Sequence, residues 1–447
     1  MILYFRFFHL KIISPIFLAL FNNLYFSIAQ SRSPNIIYIM ADDLGYADLG
    51  CYGRKDYQTP NLDKLASQGI KFTNAYAAAP LCTPTRTAFM TGRYPARTLV
   101  GLCEPLRGSS KDSLIGLGAE HRSVATLLKK GGYETALFGK WHLGFLPQFN
   151  PNTNGFDEFF GFHPGGADYI SHNRNGKPSL YHNETLVNEE GYLTDLFSGR
   201  AVKYIKQDHA KPFFLSIQFS APHWPWQGPL DKPIPDSVRI SPAMKGKGGS
   251  PAIFAAMMKS LDDAVGNILK AIEEANLSPN TVVIFTSDNG GEIFSDMGPF
   301  TGIKGELLEG GIRVPAIIRW PGVIPASTTS GQVAITMDWT VTILAMAGLK
   351  ADPAFPLDGI NLLPVCTGKQ PVFERALFWR TFQGKKQKTI RQGEWKYLQD
   401  EKGEYLFNLV KDQGEKNNLK IEFENKFAEL KRKYEEWERT VLKPISL

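Results

Sequence analysis

Apolar residues along this chain gather in short runs that stop abruptly at polar or glycine-containing turns. Four runs, at 35–40, 134–138, 213–219 and 281–285, are rich in Ile, Val and Phe and show no clean polar alternation. Such runs predict strands buried on both faces, as in parallel sheets. Between them, 61–68, 123–130 and 253–274 carry apolar residues at helical spacing. Strands alternating with helices predict an α/β fold, a large central, mostly parallel sheet sandwiched by helices. The segments 147–166 and 228–251 are rich in Pro and Gly and read as long surface loops. After about residue 365 the pattern changes to short strand-like pieces at 376–380, 388–391, 395–398 and 405–407. A helix follows with Phe423, Phe427, Leu430, Tyr434, Trp437 and Val441 on one stripe. The expected division is a main domain over 30–365 and a smaller antiparallel sheet plus helix over 366–447.

The four main runs end in polar residues. Open α/β sheets bind ligands at the carboxyl ends of their strands. Asp42, Asp43, Lys140, His142, His223, Asp288 and Asn289 are therefore predicted to meet in one crevice, although they lie far apart in the chain. Asp42-Asp43 and Asp288-Asn289 together offer three carboxylates and one amide oxygen. Hard oxygen ligands suit Ca2+ or Mg2+ rather than zinc or copper. The competing reading is a pair of strand-end turns capped by their own side chains.

The cysteines are Cys51, Cys82, Cys103 and Cys366, too few and too scattered for a disulfide framework and without a CxxC pair. Cys82 precedes Thr83-Pro84-Thr85-Arg86. Pro84 suits the first turn of a helix and Gly92 suits its end. Cys82 then sits at a helix N-terminus, where backbone donors favour an anion, and Arg86, four residues on, shares its face. A buried structural cysteine, or half of a disulfide, is the alternative. A thiolate is a poor partner for a hard, oxygen-ligated cation, so the working group at position 82 is expected not to be sulfur.

The 447 residues are 43% hydrophobic, 21% charged and 12% aromatic, a composition for packed domains. The net charge of +6 and pI near 8.9 would suit a polyanionic substrate. No DNA or RNA motif accompanies the charge, so a nucleic-acid partner is not expected. Residues 1–29 carry Arg6 and Lys11, an apolar run at 12–21, and Ser27-Ile28-Ala29. These features predict a secretory signal cut near Ala29, with an uncleaved anchor as the alternative. No later run is long enough to cross a bilayer. A secreted or periplasmic protein with no stable membrane insertion after cleavage is expected, its charge reduced to about +4 by loss of Arg6 and Lys11.

Cys82-Thr83-Pro84-Thr85-Arg86, with Thr91-Gly92-Arg93 after it, resembles the signature of the type I sulfatases, the arylsulfatase and N-acetylgalactosamine-6-sulfatase-like branch of the alkaline phosphatase superfamily. Further motifs agree: Asn35-Ile36-Ile37 through Ala41-Asp42-Asp43-Leu44-Gly45, then Gly139-Lys140-Trp141-His142-Leu143-Gly144, and Ser287-Asp288-Asn289-Gly290-Gly291. Gly302-Ile303-Lys304-Gly305 with Glu309-Gly310-Gly311-Ile312-Arg313-Val314-Pro315 continues the likeness, which ends with the Phe407-Asn408-Leu409 region. The resemblance implies an alkaline phosphatase-like sandwich. It implies that a formylglycine-generating or sulfatase-maturating enzyme oxidises Cys82 to Cα-formylglycine. One Ca2+ per chain would be bound by Asp42, Asp43, Asp288, Asn289 and residue 82, with Arg86 orienting that residue. Lys140, Lys304 and His223 would contact the sulfate ester. His223, with Lys304, would protonate the leaving alcohol, and His142 would take a proton from residue 82. The expected substrate is sulfated polysaccharide or oligosaccharide, with small aryl or alkyl sulfates left open. The rivals are a formylglycine-dependent phosphodiesterase or phosphonate hydrolase and a non-catalytic carbohydrate-binding relative.

On the substrate side, Trp224 and Trp226 would stack on a sugar or pack against the sheet. Arg107 and Lys111, and the cluster Lys385, Lys386 and Lys388, would steer a polysulfated chain or serve as plain surface charge. His163, Asp168, His172 and Arg174 follow GFDEFFGF in a segment that would reach a leaving sugar.

Overall fold

The four apolar runs form the middle of one ten-stranded sheet in a computed structural model that describes residues 1–2, 33–241 and 248–445. Apart from its first two residues, the signal read at 1–29 lies outside the described residues. The strands are β1 (Asn35–Ala41), β2 (Ile70–Phe72), β3 (Glu134–Lys140), β4 (Glu158–Phe162), β5 (Phe213–Gln218), β6 (Thr281–Ser287), β7 (Ala316–Arg319) and β8 (Thr328–Ser330), with a short hairpin of Tyr181–His182 and Thr185–Leu186 at one edge. Their order is β8-β2-β7-β6-β1-β5-β3-β4-hairpin. β6, β1, β5, β3 and β4 are mutually parallel. β7 runs antiparallel to both its neighbours, and the hairpin runs antiparallel to β4. Met40 pairs with both Gln218 and Thr286, so the central strands end level and the residues after them emerge together.

The helices that cover this sheet are α1 (Pro60–Ser67), α2 (Cys82–Thr91), α3 (Val124–Lys130), α4 (Leu193–Ile205), α5 (Pro251–Glu274) and α6 (Thr336–Met346). Strand alternation divides them into two layers. Ile37, Ile39, Leu215, Ile217, Val283 and Phe285 face α1, α4 and α5, while Ile36, Tyr38, Met40, Phe214, Val282 and Ile284 face α2, α3 and α6. α5 buries Phe254, Met257, Leu261, Val265, Ile268 and Ile272 against the first face. Each such side chain contributes about 1.5–3 kcal/mol of burial. α5 starts at Pro251 because Ser250 accepts the Ile253 amide at its N-terminus.

The fold class agrees with the sequence reading, with one correction inside the supposed loop at 147–166. Glu158–Phe162 forms β4, whose Phe159 and Phe160 lie in the two cores. Pro and Gly on either side mask a five-residue strand. Residues 228–241 do run as irregular chain, and 242–247 lie outside the described residues.

The C-terminal meander is β9 (Ala376–Thr381), β10 (Gln387–Gln392), β11 (Trp395–Asp400) and β12 (Gly403–Asn408), all antiparallel. α7 (Glu424–Glu438) lays Leu430, Tyr434 and Trp437 on it. This core also takes in Tyr76 and Ile335, from a separate two-stranded ladder of Ala75–Tyr76 and Ala334–Ile335, and Leu307 of the loop after β6, so the small sheet packs on segments that flank the large one. The Trp379 indole donates to the Ala77 carbonyl at 2.8 Å. Lys385, Lys386 and Lys388 are not a free basic cluster: they face Glu306, Glu401 and Glu438 respectively. Among the described residues no helix is long and apolar enough to cross a membrane.

Candidate active site

Parallel strands ending level place their following residues in a shared crevice. α2 then points its N-terminus into it, beginning at Cys82 and ending at Gly92 in the left-handed conformation (φ 65°), with the Gly92 amide on the Ala88 carbonyl. Cys82 is buried, and its thiol donates to Asp42 Oδ1 at 3.4 Å. One turn on, Arg86 reaches the same place. Its Nε and Nη2 donate to Asp288 Oδ2 at 3.1 and 2.9 Å, and Nη1 donates to Gln218 Oε1 at 2.8 Å and to the Lys140 carbonyl at 3.3 Å. This fork ties α2 to the ends of β3, β5 and β6.

The two lysines arrive from opposite sides. Lys140, the last residue of β3, donates Nζ to Asp42 Oδ2 at 2.5 Å. Gly139 precedes it at φ 119°, where a Cβ would stand 1.9 Å from the Gln218 carbonyl. Only glycine fits there. Lys304 comes from the loop after β6 and straddles Asp43, with Nζ 2.6 and 2.7 Å from the two oxygens. Glu292 Oε1 lies 3.7 Å from the same Nζ. His223 Nε2 stands 3.7 Å from Asp43 Oδ2, its Nδ1 is held by the Trp224 carbonyl, and the Trp224 ring stacks on it at 4.8 Å. His142 sits at φ 57° with Nε2 2.9 Å from the Leu106 carbonyl. A carbonyl only accepts, so Nε2 carries the proton and Nδ1 bears the lone pair. That Nδ1 is buried and has no partner among the described residues. Thr83 Oγ1 donates to the His142 carbonyl at 3.1 Å and so fixes this turn to α2.

Burial and crowding set the protonation of the cluster. Burial, with Asp288 adding to it and Lys140 opposing, pushes the Asp42 carboxyl up to about 7. Asp43 is raised by burial despite Lys304. Burial also acts on Asp288, but Arg86, Lys140 and Lys304 together outweigh it and hold that carboxyl below its ordinary range. Burial, then Asp288 and Asp42, drives the Cys82 thiol well above its usual value, so a thiolate is disfavoured. Burial and the neighbouring Lys140 keep His142 neutral.

The donor set fits a hard divalent cation. Asp42, Asp43, Cys82 and His223 present ligand atoms that all lie within 4.8 Å of one another. Asn289 donates Nδ2 to Asp43 Oδ1 at 2.7 Å, yet its Oδ1 is a buried acceptor with no donor among the described residues. A cation would satisfy that oxygen, whereas the capped-turn reading leaves it orphaned. Four buried carboxylates (Asp42, Asp43, Asp288 and Glu292) face three cations (Arg86, Lys140 and Lys304). A divalent ion would turn this deficit into a single positive charge, the match for a monoanionic sulfate ester.

All ten residues expected at the site are thus brought together. Gln218 and Glu292 join them without having been foreseen. The one sequence signal for Gln218 was an amide closing a largely apolar strand. The outlying candidates fare differently. Arg107 and Lys111 stay exposed on their loop. Trp226 packs against Phe254 and Phe294. His172 Nε2 is spent on the Gly191 carbonyl, and His163 packs edge-on against Tyr181. Asp168 accepts four donors, from Ile170, Ser171, Gln227 and Ile234, and serves to shape its loop. Arg174, the last of that quartet, stands with His223 beside Gly166.

Known proteins resemble this chain in sequence and in fold. The Sulfatase family profile matches residues 34–349, and the profile described as N-sulphoglucosamine sulphohydrolase, C-terminal, matches 304–440. N-acetylgalactosamine-6-sulfatase of Canis lupus familiaris is 34% identical over 392 residues, spanning 82% of this chain and 71% of the relative. Arylsulfatase G of Mus musculus is 31% identical over 395 residues, spanning 78% and 72%. The crystal structure of Ps i-CgsB in complex with k-i-k-neocarrahexaose superposes with a TM-score of 0.81 at 31% identity, covering 92% of this chain and 94% of that one. PsFucS1 sulfatase from Pseudoalteromonas sp. gives 0.75 at 25% identity, covering 96% and 95%. The helix-covered, mostly parallel sheet is the alkaline phosphatase-like sandwich of these enzymes. With its profile match spanning the strands that carry the crevice, the chain belongs to the type I sulfatase family and is a sulfuric ester hydrolase.

Proposed function

We propose that this sulfatase is exported and hydrolyses sulfate esters on sulfated polysaccharide or oligosaccharide fragments, with residue 82 matured to Cα-formylglycine and one Ca2+ bound beside it. The observation that carries the reading is the pocket around Cys82: a protonated thiol pressed on Asp42, beside an orphaned Asn289 oxygen and two lysines. Sulfur is a poor partner for a hard, oxygen-ligated cation, whereas a diol oxygen is a suitable one. When present, the hydrated formylglycine supplies an oxygen nucleophile, and Ca2+ supplies the Lewis acidity that makes its negative charge tolerable. Asp42, Asp43, Asp288 and Asn289 would hold the ion.

The rest falls to the chain's own side chains. Arg86 keeps residue 82 and Asp288 in register. Lys140 and Lys304, now turned onto Asp42 and Asp43, offer N–H donors to the sulfate oxygens, where charge accumulates as the ester bond breaks. His223, held at Nδ1, gives a proton from Nε2 to the leaving alcohol. His142 receives a proton from residue 82 at Nδ1, the nitrogen that its tautomer leaves bare. A sulfated-carbohydrate substrate is supported by relatives named for N-acetylgalactosamine-6-sulfate and by a structural neighbour solved with a carrageenan hexaose. Export is supported by the charged, apolar and small-residue order of segment 1–29.

Mass spectrometry of the peptide spanning 81–93 from active protein checks the nucleophile: the thiol mass is expected to give way to the aldehyde. A free thiol in fully active protein would overturn the formylglycine. In parallel, an aryl sulfate is expected to be turned over far faster than the matching phosphate mono- and diesters, and the reverse order would sink the substrate reading. A panel of position-defined sulfated oligosaccharides then identifies the sugar.

A further inference from the structure

The loop after β4 carries one cation to the rim of the crevice that no acid balances. Arg174 is half-buried, and its Nη1 donates to the Gly166 carbonyl at 2.7 Å. A Cβ built on Gly166 would stand 3.5 Å from Arg174 Nη1 and 3.4 Å from His223 Cε1. The guanidinium and the imidazole therefore flank the same small space, and glycine keeps it open. Among the described residues Arg174 forms no ion pair. The charged group that acts on it is a second cation, Arg239, and burial together with Arg239 pulls the guanidinium down to about 10. Acids nearby in the sequence are already engaged. Both Asp168 oxygens accept donors from the loop, and Asp236 accepts from Asn173 Nδ2 at 3.2 Å. An arginine has five N–H donors, and one of them has an acceptor within the described protein. Against the face of His223 lies Trp224, whose buried indole N–H also has no acceptor among the described residues. Two like charges held together without a counter-ion are unfavourable in the free protein and complementary to an oxyanion.

We infer that Arg174, backed by Arg239, binds a second anionic group on the substrate, carried by the part that departs with the alcohol. The inference rests on the sulfate-ester reading of the site, because that reading puts the leaving group at His223. It narrows the substrate to oligosaccharides bearing another oxyanion, a sulfate ester or a carboxylate, close to the sulfate that is cut. The planar fork of arginine suits either group in a bidentate contact.

The test uses the full matured chain and three disaccharides with the same scissile sulfate. One carries a second sulfate, one a uronate carboxylate, and one no further charge. At least one doubly anionic substrate is expected to exceed the singly anionic one in kcat/KM by about tenfold or more, the size typical of a charge-assisted hydrogen bond. Whichever is preferred identifies the group. Arg174→Gln is expected to collapse that ratio by about tenfold, mainly through KM, and exposed Arg239→Ala by about two- to fivefold, with the smaller effect fading at high salt. A wild-type ratio near one, or an equal loss on all three substrates in Arg174→Gln, would overturn the proposal. Should Arg174→Gln fail to fold, Arg239→Ala decides alone, an unchanged ratio counting against the subsite. Calorimetric binding of the desulfated product that retains the second anion is a readout free of turnover, and Arg174→Gln should weaken it about tenfold. If no sulfate ester is cleaved, the reading of the crevice fails, while product binding still judges Arg174.

Discussion

Glu415 offers a measurable consequence of the way the small sheet is attached. Lys396 of β11 is fully buried, with Nζ 3.0 Å from Glu309 Oε1 and 2.8 Å from Glu415 Oε1. Glu415 Oε2 accepts the Glu309 amide at 2.6 Å, and Glu309 Oε2 accepts the Tyr76 hydroxyl at 2.6 Å and faces Arg313 Nη1 at 3.2 Å. Two carboxylates thus compete for Lys396. Burial pushes Glu415 from 4.5 up to about 7, with Glu309 adding to the rise and Lys396 only partly opposing it. Glu309 is also penalised by burial, but Lys396, Arg313 and Arg391 outweigh that and hold it at about 2. The folded protein therefore keeps the Glu415 proton up to about pH 7, while the unfolded chain releases it near 4.5. Between those values the folded state binds more protons, so stability falls as pH rises. At 1.36 kcal/mol per unit the loss is about 3 kcal/mol, or about 3 °C in Tm for a domain of this size. Other buried acids titrate in the same window, so the informative quantity is the difference between wild type and Glu415→Gln, which removes this titration. Thermal melts of both at intervals from pH 4.5 to 8 should show wild type losing about 3 °C relative to the variant between pH 4.5 and 7. Parallel curves, or wild type gaining on the variant as pH rises, would refute the assignment of this proton.

Two further outcomes follow from the crevice. Gly139→Ala places a methyl group 1.9 Å from the Gln218 carbonyl at a positive φ, and should cost at least about 2 kcal/mol, read as a lower urea midpoint; an unchanged midpoint would mean that β3 and β5 separate more easily than their register suggests. After chelation, calorimetric titration with Ca2+ should register one site per chain, and Asn289→Ala should weaken it about tenfold by removing one oxygen ligand; equal affinity in the variant would place the ion elsewhere.

Much of this site could be read from the chain because of how parallel sheets fold. Strands buried on both faces must be continuously apolar, so the first polar residues after them stand out, and Asp42, Lys140, His223 and Asp288 all do. Arg86 was reachable because proline and glycine marked both ends of its helix. Lys304 was different: it lies in an irregular loop, and only the motif around it distinguished it from a surface lysine. Gln218 and Glu292 were missed because a single amide or acid shows nothing of what it touches across the sheet. The histidines and Asp168 after β4 were over-read for the converse reason, since a polar residue in a loop serves backbone turns as readily as ligands. α6 went unread because it is buried all round, with no polar face to give it a helical period.

The loop bearing Lys304 explains why the last eighty or so residues, though remote from the crevice in sequence, still bear on its chemistry. On one side the loop touches the site: the Lys304 amide donates to the Gly291 carbonyl at 3.0 Å and the Gly305 amide to that of Pro80 at 2.9 Å. On the other it is pinned to the C-terminal segment. Thr301 Oγ1 donates to the Gly414 carbonyl at 2.6 Å, the Leu307 amide to Gln387 Oε1 at 2.8 Å, and the Glu309 amide to Glu415. A lysine side chain has four rotatable bonds and places its charge only as well as its backbone is held. Lys304 must keep Nζ within hydrogen-bond reach of Asp43 and, in the proposed reaction, of a sulfate oxygen. The meander and its buried Lys396 supply that constraint from behind, so loosening Glu415 or Lys396 would degrade the crevice through the position of Lys304 before it disturbed any residue on the large sheet.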